Sequence, residues 1–224
     1  MEDRKYVITI GRQYGSGGCE VGQKVAQMLG IPYYDKELLA VAARESGLSD
    51  SFLEEYDERP TRSFLYTMVV NPQAGINSIN HGKTVEEMAY EAQREALYHV
   101  AEAGPCVIVG RSADYILRKK YNLISVFISG EMDFRIQRVM EKENLTEAAA
   151  EKKINRIDRA RASFYNGYSD ERWGDAATYD LCYRHSKNMS EDSIARMIVD
   201  ITGADVFKIE QKVPYAADYN TCIA

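Results

Sequence analysis

Histidine and tryptophan are scarce in this chain, with three and one respectively, and only four cysteines occur. Cys19, Cys106, Cys182 and Cys222 form no C-x-x-C pair, and with His81, His99 and His185 they show no zinc-ligand spacing. Reduced thiols of a cytoplasmic protein are the expectation. An excess of positive charge is also missing. The formal net charge of −6 argues against non-specific binding to nucleic acid or a membrane surface. No apolar run is long enough to span a bilayer, and the charged start Met1-Glu2-Asp3-Arg4-Lys5 leads directly into a strand pattern with no signal core before it. There is no internal repeat and no low-complexity segment. The chain has 224 residues, enough for one α/β domain with a substantial core.

What is present is an alternation of strand and helix patterns. Tyr6-Val7-Ile8-Thr9-Ile10 is a β-branched run that stops at Gly11. A glycine-rich turn follows, then a helical face of Val21, Val25, Met28 and Leu29 that Gly30 ends. Ile31–Tyr34 reads as a short strand and residues 36–44 as a helix. Residues 47–83 are polar and irregular. Thr84 fits the start of a capping box for a helix from Val85 to about Glu102. Cys106–Val109 is wholly apolar and reads as a central parallel strand. A helix over 113–118, a strand over 123–128, helices over 131–142 and 146–165, a strand over 179–183 and a Ser190-capped helix over 191–201 complete the pattern. The expected fold is a central parallel sheet of about five strands covered by helices on both faces. Ligands of such sheets bind at the carboxyl ends of the strands.

The first strand-to-helix turn carries the strongest chemical signal. Gly11-Arg12-Gln13-Tyr14-Gly15-Ser16-Gly17-Gly18-Cys19 lets backbone N–H groups converge at a helix N-terminus, which makes an anion cradle. Three readings fit it. As a dinucleotide fingerprint it starts at Gly15 and Gly17, has Glu20 in place of the third glycine, and finds an acid at Asp35. As a phosphate loop of the G-x-x-x-x-G-K-[ST] type it has Arg12 at the first glycine, Gly18 at the lysine and Cys19 at the hydroxyl residue. As a structural turn it binds nothing. The phosphate reading is favoured.

Three segments together carry a resemblance. Residues 8–18, Ile31-Pro32-Tyr33-Tyr34-Asp35-Lys36-Glu37-Leu38-Leu39, and Val107-Ile108-Val109-Gly110-Arg111-Ser112-Ala113-Asp114-Tyr115-Ile116-Leu117 resemble the cytidylate kinase-like family, in the same order over roughly residues 5–202. The resemblance implies a P-loop NTPase three-layer sandwich with a helical lid near 131–170 and a helical acceptor-binding insertion near 35–104. It implies ATP as donor, Mg²⁺ as cofactor, and a nucleoside monophosphate of the CMP or dCMP kind as acceptor. Gly15, Ser16, Gly17, Gly18 and Cys19 then hold nucleotide phosphates. Asp35, Arg111 and Asp114 face the acceptor, and Ser16 and Asp35 are the weak candidates for metal contact. Asp158-Arg159-Ala160-Arg161 resembles the lid helix motif of the family. The sequence departs from the family at the loop lysine, at Ala40-Val41 and at Ser112.

Without the lysine, phosphoryl transfer needs another cation. Arg12 flanks the cradle, as a phosphate ligand or as the partner of a surface carboxylate. The segment 152–161 places five cations, Lys152, Lys153, Arg156, Arg159 and Arg161, beside the single acid Asp158. Such a helix is either a solvated face or a kinase lid. The lid reading makes Arg12, Arg156, Asp158, Arg159 and Arg161 the catalytic candidates. Binding without turnover, a kinase for another small acceptor, and a dinucleotide-dependent enzyme are the alternatives.

Overall fold

The computed structural model describes residues 6–35 and 85–203. The expected helix over 36–44, the irregular stretch 47–83, the Thr84 cap and the tail from 204 onward lie outside the described residues. The fold divides into two compact units: residues up to Asp35 with those from Gly104 onward, and residues from Lys36 to Ala103. The described part of the second unit is one helix, α2 (Val85–Ala103).

The first unit is built on five parallel strands: β1 (Tyr6–Arg12), β2 (Tyr33–Tyr34), β3 (Cys106–Val109), β4 (Asn122–Gly130) and β5 (Leu181–His185). Their order is β2-β3-β1-β4-β5. The register pairs Ile8 with Val107 on one side and with Ile124 on the other. β1 is thus the central strand, and the turn after it opens at the middle of the sheet's carboxyl edge.

The alternation of side chains along each strand fixes the layers. Ile8, Ile10, Val107, Val109, Val126 and Ile128 form one buried face. Against it pack Val21, Val25, Ala26 and Leu29 of α1 (Gly18–Leu29) and Ile194, Ala195, Ile198 and Val199 of α6 (Glu191–Thr202). On the other face the short α3 (Ala113–Leu117) packs against β1 and β4. The opposite positions Val7, Ile108 and Phe127 are buried as well, beside the polar Thr9 and Ser125, as a sheet covered on both faces requires. α1 ends where expected, with Gly30 at φ +63° closing the last turn. Ser190 accepts from the Ser193 N–H at the start of α6, as its sequence position implied.

α4 (Met132–Glu143) and α5 (Glu147–Tyr168) pair through a second, smaller core of Ile136, Val139, Ala150 and Ile154, which also takes the Tyr14 side chain from the loop. The final strand begins two residues later than its apolar pattern suggested. Asp180 turns its carboxylate onto the Ser125 N–H (2.8 Å) and hydroxyl (2.7 Å), and its own N–H donates back to that hydroxyl. These bonds hold Tyr179-Asp180 out of the ladder, so pairing starts at Leu181 and runs on to His185.

Candidate phosphate site

β1 hands the chain to α1 through a tight loop whose shape rests on two glycines. Gly15 lies at φ +75° and Gly17 at φ +83°. A Cβ at Gly15 would stand 2.9 Å from Val139 Cγ2, and one at Gly17 only 2.7 Å from His185 Nδ1. The Gln13 carbonyl accepts from both the N–H and the hydroxyl of Ser16, the latter at 2.8 Å, which closes the turn. No side chain caps the helix that follows. Its first intrahelical bond is Val21 N–H to Gly17 O, so the N–H groups before Val21 have no carbonyl partner within the helix. The positive end of the α1 dipole lies at the same place.

Three pins hold this loop from below. Asp158 of α5 accepts from the Tyr14 N–H at 2.7 Å and from Arg135 of α4 at 2.6 Å. Arg135 also donates to the Tyr14 carbonyl at 3.2 Å. His185, at the end of β5, is 3 % exposed and donates through Nδ1 to the Ser16 carbonyl at 2.7 Å; a carbonyl only accepts, which fixes that ring nitrogen as the protonated one. Burial pushes the Tyr14 phenol well above its ordinary range, helped by its bond to Glu143, so it stays a neutral donor.

Above the loop is a pocket of about 350 Å³, lined by its glycines, Cys19, the four cations Arg12, Arg138, Lys142 and Arg161, and the three acids Glu20, Glu141 and Glu143. Two of the four cations are neutralised. Arg138 donates to Glu191 (2.8 Å) and Glu20 (3.3 Å), and Lys142 donates to Glu20 (3.3 Å). The other two have no carboxylate partner among the described residues. Arg12 lies in a slot made by two glycines from distant parts of the chain. A Cβ at Gly18 would meet Arg12 Cβ at 2.5 Å, and one at Gly110 would meet Arg12 Nη1 at 2.1 Å. Arg12 Nε is buried with no hydrogen-bond partner. Arg161 donates to the Arg12 carbonyl at 3.0 Å, and its guanidinium stands over the Tyr14 ring, 5.6 Å from the centroid. Burial, and after it the charge of Arg12, pulls the Arg161 guanidinium down to about 9. Two like charges brought near each other, both partly buried, at an uncapped helix N-terminus form a site that an anion relieves.

The structure sorts the expected residues. Gly15, Gly17, Gly18, Cys19, Arg12 and Arg161 line one pocket. Ser16 is fully buried with its hydroxyl turned into the loop, so it shapes the cradle. Asp158 has both oxygens committed to the loop and to Arg135, which makes it a positioning residue. Arg156 and Arg159 are exposed on α5 and do not line the pocket. Asp35 follows β2, two strand positions from β1. Arg111 follows β3 in an unusual turn, where Gly110, Arg111 and Ser112 have φ of +79°, +63° and +50° in succession. Such a run of left-handed residues marks a place where the surroundings dictate the backbone. Asp114 is 5 % exposed and takes the Tyr165 hydroxyl at 2.6 Å with Arg118 beside it, which ties α3 to α5 rather than opening onto the pocket. Burial raises its carboxyl above the usual range. Arg135, Arg138, Lys142 and His185 were not among the expected residues. The first three stand at three- and four-residue spacing on α4, a signal that was present in the sequence.

A resident magnesium ion finds a poor donor set here. Mg²⁺ takes oxygen ligands in near-octahedral geometry. The loop offers a thiol at Cys19, where the phosphate-loop pattern has a hydroxyl, and the Ser16 hydroxyl is bonded inward. Among the described residues no group of three His, Cys, Asp or Glu side chains stands together in a ligating arrangement.

The model of the cytidylate kinase-like family matches residues 7–187. The chain belongs to the cytidylate kinase-like family. No curated protein matches it. Among solved structures it is similar to an uncharacterized protein from Eubacterium ventriosum ATCC 27560, at 28 % identity and a TM-score of 0.65, over 93 % of this chain and 100 % of that one. It is also similar to shikimate kinase from Bacteroides thetaiotaomicron, at 14 % identity and a TM-score of 0.50, over 89 % of this chain and 99 % of that one. The second likeness speaks to the fold, which is the P-loop kinase arrangement expected from the sequence. The family membership makes this a kinase-like chain, and the glycine-rich turn expected after the first strand joins β1 to α1. No helix of the described residues is long and apolar enough to cross a membrane.

Proposed function

We propose that this chain is a cytoplasmic phosphotransferase that holds the triphosphate of ATP in the loop Gly15–Gly18 and passes its γ-phosphoryl group to a small phosphorylated acceptor, a nucleoside monophosphate of the CMP or dCMP kind. One observation carries the reading: an uncapped helix N-terminus opens into a pocket where Arg12 and Arg161 stand in no ion pair among the described residues. Phosphoryl transfer depends on placing cations on the non-bridging oxygens, and these two guanidiniums supply them where the family loop has a lysine. Arg111, at the carboxyl end of β3 on the same sheet edge, takes the acceptor phosphate, and Asp35 lies on the acceptor side. Any Mg²⁺ comes with the nucleotide.

Gly18 and Cys19, in place of the lysine and the hydroxyl, favour a second reading, in which the chain binds the nucleotide without turnover. One assay separates the two. The intact chain is given ATP, with and without Mg²⁺, and a panel of nucleoside monophosphates and small alcohols, and ADP release is followed beside an Arg12→Ala variant. Acceptor-dependent ADP release that Arg12→Ala lowers at least about tenfold supports transfer. Thermal stabilisation by ATP with no turnover on any acceptor supports binding alone. Turnover that Arg12→Ala leaves untouched removes Arg12 from the chemistry.

A further inference from the structure

The charge arrangement at the loop extends beyond a missing lysine. In the usual phosphate loop two positive groups, a lysine and a hydroxyl-bound Mg²⁺, offset the triphosphate. This chain has replaced both positions at once, with Gly18 and Cys19. The replacement at 18 has a steric reason: the Arg12 side chain occupies the space over residue 18, where even a Cβ would lie 2.5 Å from Arg12 Cβ. The replacement at 19 removes the hard oxygen ligand, and a thiol is a soft donor that Mg²⁺ does not seek. In exchange two guanidiniums stand at the pocket. Arg12 is held in the glycine slot with Nε buried and unpartnered. Arg161 is fixed by its bond to the Arg12 carbonyl and by the Tyr14 ring beneath it. Neither is in an ion pair among the described residues, whereas Arg138 and Lys142 at the same pocket both are. Guanidinium forks match phosphate oxygens in two-point contact. A pair of them offsets the charge of neighbouring phosphates as a divalent ion does, without the geometric demands of Mg²⁺.

We propose that this loop binds metal-free polyphosphate, with Arg12 and Arg161 filling the electrostatic places of the loop lysine and the magnesium ion. The inference rests on reading the loop as a triphosphate site. The repulsion between the two guanidiniums adds to the preference, because a bound polyanion offsets it.

The experiment is calorimetric titration of the intact chain with inorganic tripolyphosphate, once in EDTA and once in excess Mg²⁺. Affinity in EDTA that equals or exceeds the Mg²⁺ value, to within about threefold, supports the proposal. Affinity weaker in EDTA by more than that overturns it and leaves the site reading intact. Binding in neither condition overturns the site reading itself. Arg161→Gln and Arg12→Gln are expected to lower the EDTA affinity about tenfold or more each, the effect of losing a charge-assisted bond to phosphate. Variants that keep the wild-type melting temperature and bind tripolyphosphate in EDTA as the wild type does would overturn the assignment of the two arginines. The wild-type comparison needs no variant and decides the metal question alone.

Discussion

Replacing Gly110 with alanine probes the slot that holds Arg12 without changing the loop's own residues or removing any charge. The new methyl carbon would stand 2.1 Å from Arg12 Nη1 and 2.9 Å from Arg12 Cζ. Ordinary contact between such atoms is about 3.5 Å or more, so the guanidinium has to move by more than about 1 Å. It is the far end of a flexible side chain, and the move itself is cheap. The backbone cost is separate: alanine at φ +79° is disfavoured by about 1–2 kcal/mol, a fall of roughly 3–8 °C in melting temperature. Loss of a charge-assisted bond to phosphate is worth about 1.5–3 kcal/mol, which is about ten- to a hundredfold in affinity. Gly203→Ala is the control. Gly203 has a similar φ of +67° and no heavy atom of the described residues within 4 Å of its added Cβ, so among them it carries the backbone cost alone. The assay is a thermal melt and a tripolyphosphate titration of each variant. Both should lose similar stability, and only Gly110→Ala should lose affinity. A folded Gly110→Ala that binds within twofold of Gly203→Ala would refute the slot.

Three further outcomes follow from the pins and the core. Asp158→Ala leaves Arg135, whose side chain is 5 % exposed, without its carboxylate, and should cost about 3–5 kcal/mol in urea unfolding; a loss under about 1 kcal/mol would show that the pin is dispensable. Burial opposes ionisation of Glu143, but bonds from Lys153 and Tyr14 outweigh it and hold its carboxyl below the ordinary 4.5. The folded state then binds fewer protons than the unfolded one, so this stability is present above pH about 4.5 and is lost as pH falls through the lower folded value. Glu143→Gln should flatten that acid limb of the stability curve, and an unchanged limb would sink the assignment. Cys106 is 1 % exposed, and burial pushes its thiol up to about 12, so iodoacetamide at pH 8 should label it only after unfolding; labelling in the native chain, mapped by mass spectrometry, would contradict the packing.

How much of this was legible in the sequence depends on the distance over which each feature is encoded. The strands and helices of the first unit were, because apolar runs such as Cys106–Val109 and spaced faces such as Val21, Val25 and Leu29 are local patterns. The glycine-rich turn between β1 and α1 was, because its glycines sit close together in the sequence. β5 slipped by two residues because Asp180 bonds to Ser125, a partner 55 positions away that no local pattern announces. The Arg12 slot was invisible for the same reason, since Gly18 and Gly110 meet only in the folded sheet. On α5 the basic run was evident, but helical geometry turns Arg161 inward while Arg156 and Arg159 stay exposed. The three-residue step from Asp158 to Arg161 did mark the inward face, and both residues now stand on the loop side. His185 carried no signal, because its meaning depends on Gly17 lying against its ring.

The most direct measurement is a crystal structure of the intact chain with a non-hydrolysable ATP analogue. The account predicts the triphosphate on the N–H groups of residues 15–19, with the Arg12 and Arg161 guanidiniums on its non-bridging oxygens. A triphosphate seated elsewhere, or one in the loop with both guanidiniums turned away from it, would contradict the account.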